Sequence, residues 1–181
     1  MASHFIEIKK IPKLIFENLL TDCSNGFFGG HYPMPDGSNY IEKTNNLIRQ
    51  AEKRLLDKNS FAFINVEDNQ HIRQLWIGKQ IKNIFVSEMV LFGKDKNNSK
   101  SYLYTDTDWI IEFGNFLKEN NISHHQSRFV KNSAFEDWIK TQLAADNYNY
   151  NSCVRGEMHG PGGQVFIDYF KELKTPNGKS L

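Results

Sequence analysis

The residues whose types and spacing could do chemistry lie close together near the end of the chain. His159 precedes a turn in which Gly160, Gly162 and Gly163 surround a proline. Glycine permits close approach to the backbone, and the apolar residues of 165–173 repeat at helical spacing. The pattern therefore predicts a strand, a glycine turn and a helix whose first amides and dipole hold phosphate or carboxylate. His159 would act there as general acid or base.

Arg155 lies in the strand predicted just before this turn, where its guanidinium could clamp a phosphate or carboxylate through two hydrogen bonds. An ordinary surface ion pair explains the same arginine as well. The glycine turn also has a simpler explanation, because glycine and proline are the commonest residues of tight loops. Both interpretations stay open, and the anion-binding hypothesis is the one on which the functional prediction depends.

The turn has a partial counterpart among known acyl-CoA sites. Residues 157–162 (EMHGPG) resemble the acyl-CoA loop of GNAT-type acetyltransferases, whose pattern is Arg or Gln, two residues, Gly, one residue, then Gly or Ala. Glu157 stands where that pattern has Arg or Gln, and the chain that follows is shorter than the final strands of the family. The spacing differs from the dinucleotide fingerprint, and no lysine follows as in a P-loop.

Two acidic residues in predicted strands are further candidates. Glu88 interrupts an apolar run and shares a face with Val86 and Val90 on the two-residue period of a strand. If that face is buried, the pKa of Glu88 would rise as in many catalytic acids, whereas on an edge strand the side chain would lie in water. Glu67 ends another apolar strand, and ligands of open α/β sheets gather beyond such ends. The alternative at that end is that Asp68 caps a following helix.

Cys23 is the candidate nucleophile, with His159 and Asp168 as the pair that could activate it. Residues 22–24 (DCS) resemble the Asp-Cys-Ser start of NlpC/P60-type peptidases, whose next residue is Gly where this chain has Asn25. The alternative is a half-buried structural cysteine.

Composition narrows the class of protein. The 181 residues are 39% hydrophobic and 13% aromatic, which is enough for the core of one domain. A net charge of +1 does not suit a broad nucleic-acid interface, so no nucleic-acid partner is expected. Two cysteines without paired spacing, and no H-E-x-x-H motif, predict no metal site, and the cofactor stays unassigned. Because the chain shows no signal peptide and no membrane span, we expect a cytoplasmic location.

Strands that alternate with amphipathic helices after residue 60 predict one α/β or α+β domain over residues 1–181. We expect a mixed sheet of about four to five strands flanked by helices, with a glycine-rich loop at 23–37 over the site and a frayed tail at 175–181. The predicted strands cover residues 61–66, 84–92, 102–104, 124–130 and 153–158. The predicted helices begin near residues 12, 38, 72, 105, 133 and 165.

The functional prediction is a small cytosolic enzyme, a transferase or hydrolase, that binds a phosphate-bearing ligand such as a nucleotide or acyl-CoA at the turn of residues 159–164. The balanced charge and aromatic-rich loops also fit a non-catalytic binding protein, such as an adaptor or an inhibitor of a partner protein. A cysteine hydrolase that uses Cys23 is the third hypothesis.

Overall fold

Within the described part of the chain, nine extended segments pair into one β-sheet. The computed structural model of the protein describes residues 3–8, 27–28, 32–33, 49–67, 71–93, 95, 97, 102 and 109–173. In that part of the chain the strands are β1 (Ser3–Ile8), β2 (Phe27–Phe28), β3 (Tyr32–Pro33), β4 (Ser60–Glu67), β5 (His71–Ile81), β6 (Ile84–Phe92), β7 (His124–Val130), β8 (Val154–His159) and β9 (Val165–Glu172). The helices are α1 (residues 49–55), α2 (Trp109–Glu119), α3 (Ala134–Ala145) and α4 (Tyr150–Cys153).

Seven of these strands form the body of the sheet, in the order β1-β4-β5-β6-β7-β9-β8. Every neighbouring pair is antiparallel except β6 and β7, which run parallel. The short strands β2 and β3 pair with each other, and β2 also pairs with β6. The fold is therefore a single α+β domain with a mixed sheet, and one parallel contact joins its two halves.

Helices cover the sheet on two sides and create two separate cores. On one side α2 and α3 pack against β5, β6, β7 and β9 through a cluster of large aromatic rings. The ring of Trp109 in α2 lies 4.8 Å from Trp76 of β5 and 4.4 Å from Trp138 of α3, measured between centroids. On the other side Ala51 of α1 packs on smaller apolar residues of β4, β5 and β6.

The fold class and the mixed sheet agree with the prediction, but the sheet is larger because it also contains the unpredicted strands β1, β2 and β3, and because two predicted helices are strands. The segment from residue 72 belongs to β5, in which residues 74–78 are all buried. A continuous apolar run fits a helix as well as a strand covered on both faces. The segment from residue 165 is β9, where the buried Lys171 and the partly exposed Phe166 and Phe170 hide the two-residue alternation.

Other predicted elements are confirmed within the described residues. Strands at 61–66, 84–92 and 124–130 are present, and α3 begins near residue 133 as predicted, where the Ser133 hydroxyl accepts from the amide of Glu136 at 3.2 Å. Asn121 follows α2 with a φ of 60°, a left-handed conformation. The predicted helix near residue 12, most of the predicted strand 102–104, most of the 23–37 loop and the tail lie outside the described residues.

Gly78 provides a test of the β5–β6 pairing. A Cβ at this position would collide with the carbonyl oxygen of Val86 and approach the ring of Phe85 to 2.6 Å. We expect Gly78→Ala to lower the free energy of unfolding by about 1–3 kcal/mol, because the backbone oxygen cannot move without disturbing the ladder. Urea unfolding followed by circular dichroism measures the change. Gly156→Ala is the matched control, since a Cβ there meets nothing within 4 Å. Equal losses in both variants would contradict the steric explanation.

Candidate functional site

The centre of the sheet contains a split between β6 and β7. Their parallel pairing covers only three residue pairs and ends where Val86 lies opposite Gln126. β6 continues to Phe92 and β7 to Val130, but in the described structure these later residues do not pair with each other. The strands therefore part toward their carboxyl ends, which is where open α/β sheets bind ligands.

A β-bulge in β6 lies at the point where this split begins. Ser87 faces Gly78 of β5 and Met89 faces Ile77, so Glu88 is an extra residue without a partner on β5. A bulge bends its strand and increases the local twist, and bulges are frequent next to active sites. The bulge gives β6 a physical reason to turn away from β7 directly after the last shared pair.

Two buried polar side chains, Ser87 and His125, meet at the apex of the split. The Ser87 hydroxyl lies 3.2 Å from Nε2 of His125 and donates to the carbonyl oxygen of Gln126 at 3.3 Å. Ser87 is 9% exposed and His125 is 2% exposed. A hydroxyl has one hydrogen, so when that hydrogen points to Gln126, the imidazole must carry its own hydrogen on Nε2 and donate to the serine oxygen.

Aromatic rings surround His125 on the side of the sheet that α2 and α3 cover. Its ring centroid lies 5.3 Å from that of Phe113, 5.5 Å from Tyr169 and 5.9 Å from Phe85. Burial, and to a smaller extent the charge of Lys171 directly opposite on β9, lowers the pKa of His125 to about 3. The imidazole is therefore neutral near pH 7, where it can donate a hydrogen bond but is a poor proton acceptor.

Several elements end or begin at the open end of the split. The pairings make β4, β6, β7 and β8 run in one direction, so their carboxyl ends share that edge of the sheet. β2 also reaches this region, because Phe28 pairs with Leu91 of β6 while Leu75 of β5 occupies the other edge of Leu91. Phe28 therefore lies on the edge of β6 that faces the split. It belongs to the predicted 23–37 loop.

The predicted strand, turn and helix near the end of the chain form a β-hairpin instead. β8 and β9 pair antiparallel, and a 3₁₀ turn at Pro161–Gly163 joins them. The amide of Gly160 donates to the carbonyl of Gln164 at 2.7 Å, and the bonds of a 3₁₀ turn use the amides of Gly163 and Gln164. The prediction that a helix begins here with an open row of amides is therefore wrong. The anion-binding roles of Gly160, Gly162 and Gly163 remain predictions without that support.

The hairpin places His159, but not Arg155, at the edge of the sheet toward which the split opens, where β9 separates its strand from β7. His159 is the exposed last residue of β8 and lies opposite Val165. Because the amide of Lys131 donates to the carbonyl of Val165 at 2.8 Å, the hairpin tip lies beside the end of β7. Arg155 lies near the other end of β8, with its guanidinium 4.2 Å from the ring centroid of Phe170. The predicted grouping of Arg155 with the glycine turn is therefore not formed.

Glu88 occupies the bulge next to the apex, on the opposite side of the sheet from His125. Its carboxylate lies 3.5 Å from Nε of Arg54 in α1 and 3.6 Å from Nζ of Lys79 in β5. Val90 packs in the core under α2 and α3, so Glu88 and Val90 do not share a face as predicted. The bulge is the reason, because the extra residue shifts the alternation of every residue after it.

The remaining predicted site residues are separated from the split. Glu67 ends β4, which is separated from β6 by β5, and nothing is described of its side chain. Cys23 and Asp68 lie outside the described residues. Among the side chains that the structure describes, no three or more His, Cys, Asp or Glu converge as a metal site requires. The catalytic and binding roles assigned to His159, Glu88, Cys23, Arg155 and Glu67 stay predictions.

Sequence reasoning missed Ser87 and His125, the two polar residues at the apex. A serine inside an apolar strand gives no signal by itself. His125 lies in the segment HHQSRFV, where only the strand period shows that one of two adjacent histidines points into the core. The two-residue period of a strand was therefore the signal that could have identified His125 as a buried residue. The contact between the two residues depends on strand order, which neither segment encodes alone.

Comparison with known structures assigns the fold. A protein from Desulfovibrio desulfuricans assigned to the GNAT family of acetyltransferases gives a TM-score of 0.53 at 10% identity, covering 95% of this chain and 99% of its own. The ribosomal-protein-S18-alanine N-acetyltransferase from Escherichia coli gives 0.57 at 6% identity, with 96% of each chain covered. An aminoglycoside 6'-acetyltransferase type Ii gives 0.55 at 8% identity, with 94% and 97% covered. No protein-family model and no curated protein matches the sequence.

The chain therefore has the α+β GNAT fold, with the seven-strand order and flanking helices described above. At these identities the similarity establishes the architecture alone. Helices within the described ranges are all too short or too polar to cross a membrane.

Protonation of His125 provides a test of its burial. Because its pKa is lowered from 6.5 to about 3, the unfolded chain binds a proton between these values that the folded protein excludes. We therefore expect the free energy of unfolding to fall as the pH decreases below about 6.5, by about 1 kcal/mol per pH unit. Urea unfolding at several pH values between about 7 and 5 measures this slope.

His125→Phe should flatten the slope, because a phenyl ring has no proton to gain. His159→Gln, which removes an exposed imidazole at the end of β8, serves as the matched control. A wild-type slope retained in His125→Phe would show that another group titrates with folding.

Proposed function

We propose that the protein is a GNAT-type N-acetyltransferase that binds acetyl-CoA in the split between β6 and β7 and transfers the acetyl group to an amine. The observation that carries this proposal is the short parallel ladder, which lets two central strands part within a sheet of GNAT order. The names of the similar structures support the reaction class but differ in acceptor. The proposal therefore names only the reacting group of the acceptor, an amine, and not the acceptor molecule.

The edge of β6 between Ser87 and Val90 suits an extended ligand that contains amide groups. β5 occupies the other edge of this segment, and β7 has already separated from it. An extended chain that lies along such an edge gains main-chain hydrogen bonds, as peptides do in strand addition. The pantetheine arm of CoA is extended and carries amides, so it can occupy the place that β7 leaves.

The first turn of α2 is the better of two helix starts for the CoA phosphates. α2 ends directly before β7 begins, so its first turn lies toward the open end of the split. α3 also begins there, but the carboxylate of Glu136 already accepts from the amide of Asn132. Burial acts to raise the pKa of Glu136, yet hydrogen bonds from Tyr150 and Asn132 outweigh it and leave the pKa lowered. An ionised carboxylate at α3 repels phosphate, whereas the dipole of α2 attracts it.

The acceptor amine would enter beside the β8–β9 hairpin, where His159 is exposed at the end of β8. The amine nitrogen attacks the carbonyl carbon of the thioester, a C–N bond forms, the C–S bond breaks, and CoA leaves as a thiolate that takes up one proton to become the thiol. The amine loses one proton in this step. His159 is our candidate for the base that receives it, because it is an exposed imidazole at the end of β8, beside the proposed entry of the amine.

Hydrogen–deuterium exchange with and without acetyl-CoA tests the binding site directly. We expect slower exchange in residues 87–90 and 127–130, because bound pantetheine would cover the strand edges that face the split. Residues 71–81 and 165–172 form the matched internal control, since β5 and β9 each pair with a strand on both sides. Calorimetry should give a dissociation constant in the range of about 1 µM to 1 mM, which is usual for enzyme substrates.

Release of the free CoA thiol in the presence of a panel of amines then tests the reaction. Transfer would appear as thiol release that depends on the amine. Release without any amine would favour a hydrolase, and binding without release would favour a non-catalytic binding protein. Absence of both binding and protection with acetyl-CoA would contradict the proposal.

A further inference from the structure

We propose that the Ser87 hydroxyl is a catalytic hydrogen-bond donor to the carbonyl oxygen of the acyl thioester, and that His125 is the positioning residue that supports it. The inference rests on the proposed acetyltransferase function and assigns roles to two residues of the same split. It concerns how the thioester is activated, which the similarity of fold does not address.

Ser87 lies at the inner end of the split. Ser87 is the residue of β6 directly after the last pair shared with β7, and the bulge begins at the next residue. A ligand that enters the split from its open end therefore meets Ser87 at the innermost point that it can reach. The reactive end of an acyl-CoA whose phosphates bind at the open end would arrive at this apex.

The hydrogen bonds at the apex leave the Ser87 hydroxyl able to change its acceptor. The bond from the Ser87 hydroxyl to the carbonyl of Gln126 is long, at 3.3 Å, so the hydroxyl hydrogen can turn to a better acceptor at little cost. When it turns to a thioester oxygen, Nε2–H of His125 continues to donate to the same serine oxygen. Consecutive hydrogen bonds polarise one another, so the imidazole would make Ser87 a stronger donor to the negative charge that develops in the transition state.

The surroundings of His125 explain why this contact is suited to donation and not to nucleophilic attack. A nucleophilic Ser87 would need a base to take its proton, and the neutral buried imidazole is a poor base. The rings of Phe113, Tyr169 and Phe85 enclose the imidazole and hold its orientation. No covalent bond to Ser87 forms or breaks in the proposed step. The hydroxyl only moves its hydrogen bond from Gln126 to the oxygen of the thioester.

Ser87→Ala removes the donor and tests the proposal. We expect kcat to fall roughly a hundredfold, as for loss of one oxyanion donor, while the affinity for CoA, which lacks the acyl group, changes less than about twofold. Ser123→Ala is the matched control. Ser123 is also buried, and its hydroxyl lies 2.7 Å from Nδ1 of His124. It precedes the first residue of β7 that pairs with β6, so it lies at the closed end of the split. The control should retain the wild-type kcat.

Infrared spectroscopy of acetyl-CoA labelled with ¹³C at the carbonyl separates donation from a structural role. A hydrogen bond lowers the carbonyl stretching frequency, so we expect a downward shift on binding to the wild type and to Ser123→Ala. The shift should be absent in Ser87→Ala and restored in Ser87→Thr, which keeps a hydroxyl. For His125, Gln can still donate to the serine oxygen and Leu cannot, so His125→Gln should retain more of the shift and of kcat than His125→Leu.

The outcomes distinguish this inference from the function on which it rests. If the wild type binds and turns over acetyl-CoA but Ser87→Ala keeps its kcat and its carbonyl shift, the role of Ser87 is overturned and the acetyltransferase proposal stands. If the wild type does not bind acetyl-CoA, both proposals fall together. Loss of CoA affinity in Ser87→Ala, at an unchanged melting temperature, would assign Ser87 to cofactor binding and would also overturn the catalytic role.

Discussion

A β-strand has two edges whose N–H and C=O groups both need hydrogen-bond partners, and on one edge of β6 the described strands meet this requirement only in part. β5 pairs with the other edge along the strand except at Glu88, whereas β7 accompanies β6 for three residues and then departs. Between Ser87 and Val90 the described structure has no strand on the side that faces the split. This interrupted ladder determines where a ligand fits, because a groove lined with unpaired main-chain groups favours an extended partner that can replace the missing strand.

The packing around the split keeps it from closing. Phe85, Val90 and Phe92 of β6 and Phe129 of β7 belong to one buried cluster that also contains the large rings of α2 and α3. Rings packed in this cluster resist displacement, because protein interiors are packed at about the density of organic crystals. The bulge at Glu88 acts in the same direction from within the strand, and ion pairs from Arg54 and Lys79 hold that residue on the other side of the sheet. The bulge and the packing of the core therefore both favour the separation of the two strands.

The sequence predicts most of the elements and little of the site, for physical reasons. Long strands with β-branched and aromatic residues, such as β6, and helices with a clear cap, such as α3 after Ser133, depend on local interactions and were confirmed. β9 was mistaken for a helix because its inward Lys171 is buried by an ion pair with Asp146 at 3.1 Å and by the ring of Tyr148, which a period-based reading cannot anticipate. Ser87 and His125 meet only because strand order places β6 beside β7, and that is information about the whole fold.

The glycine turn shows why a short pattern can resemble a loop of the GNAT family and still form a different local structure. Gly162 and Gly163 have φ values of 77° and 80°, which side chains rarely adopt, and a Cβ on Gly160 would lie 2.5 Å from the ring of Phe166. The tight hairpin between β8 and β9 therefore accounts for all three glycines without a ligand. The split needs no such signature, since an interrupted ladder exposes main-chain groups whatever the side chains are. In this fold, the interrupted pairing of β6 and β7 is a stronger indication of a ligand site than the glycine-rich turn between β8 and β9.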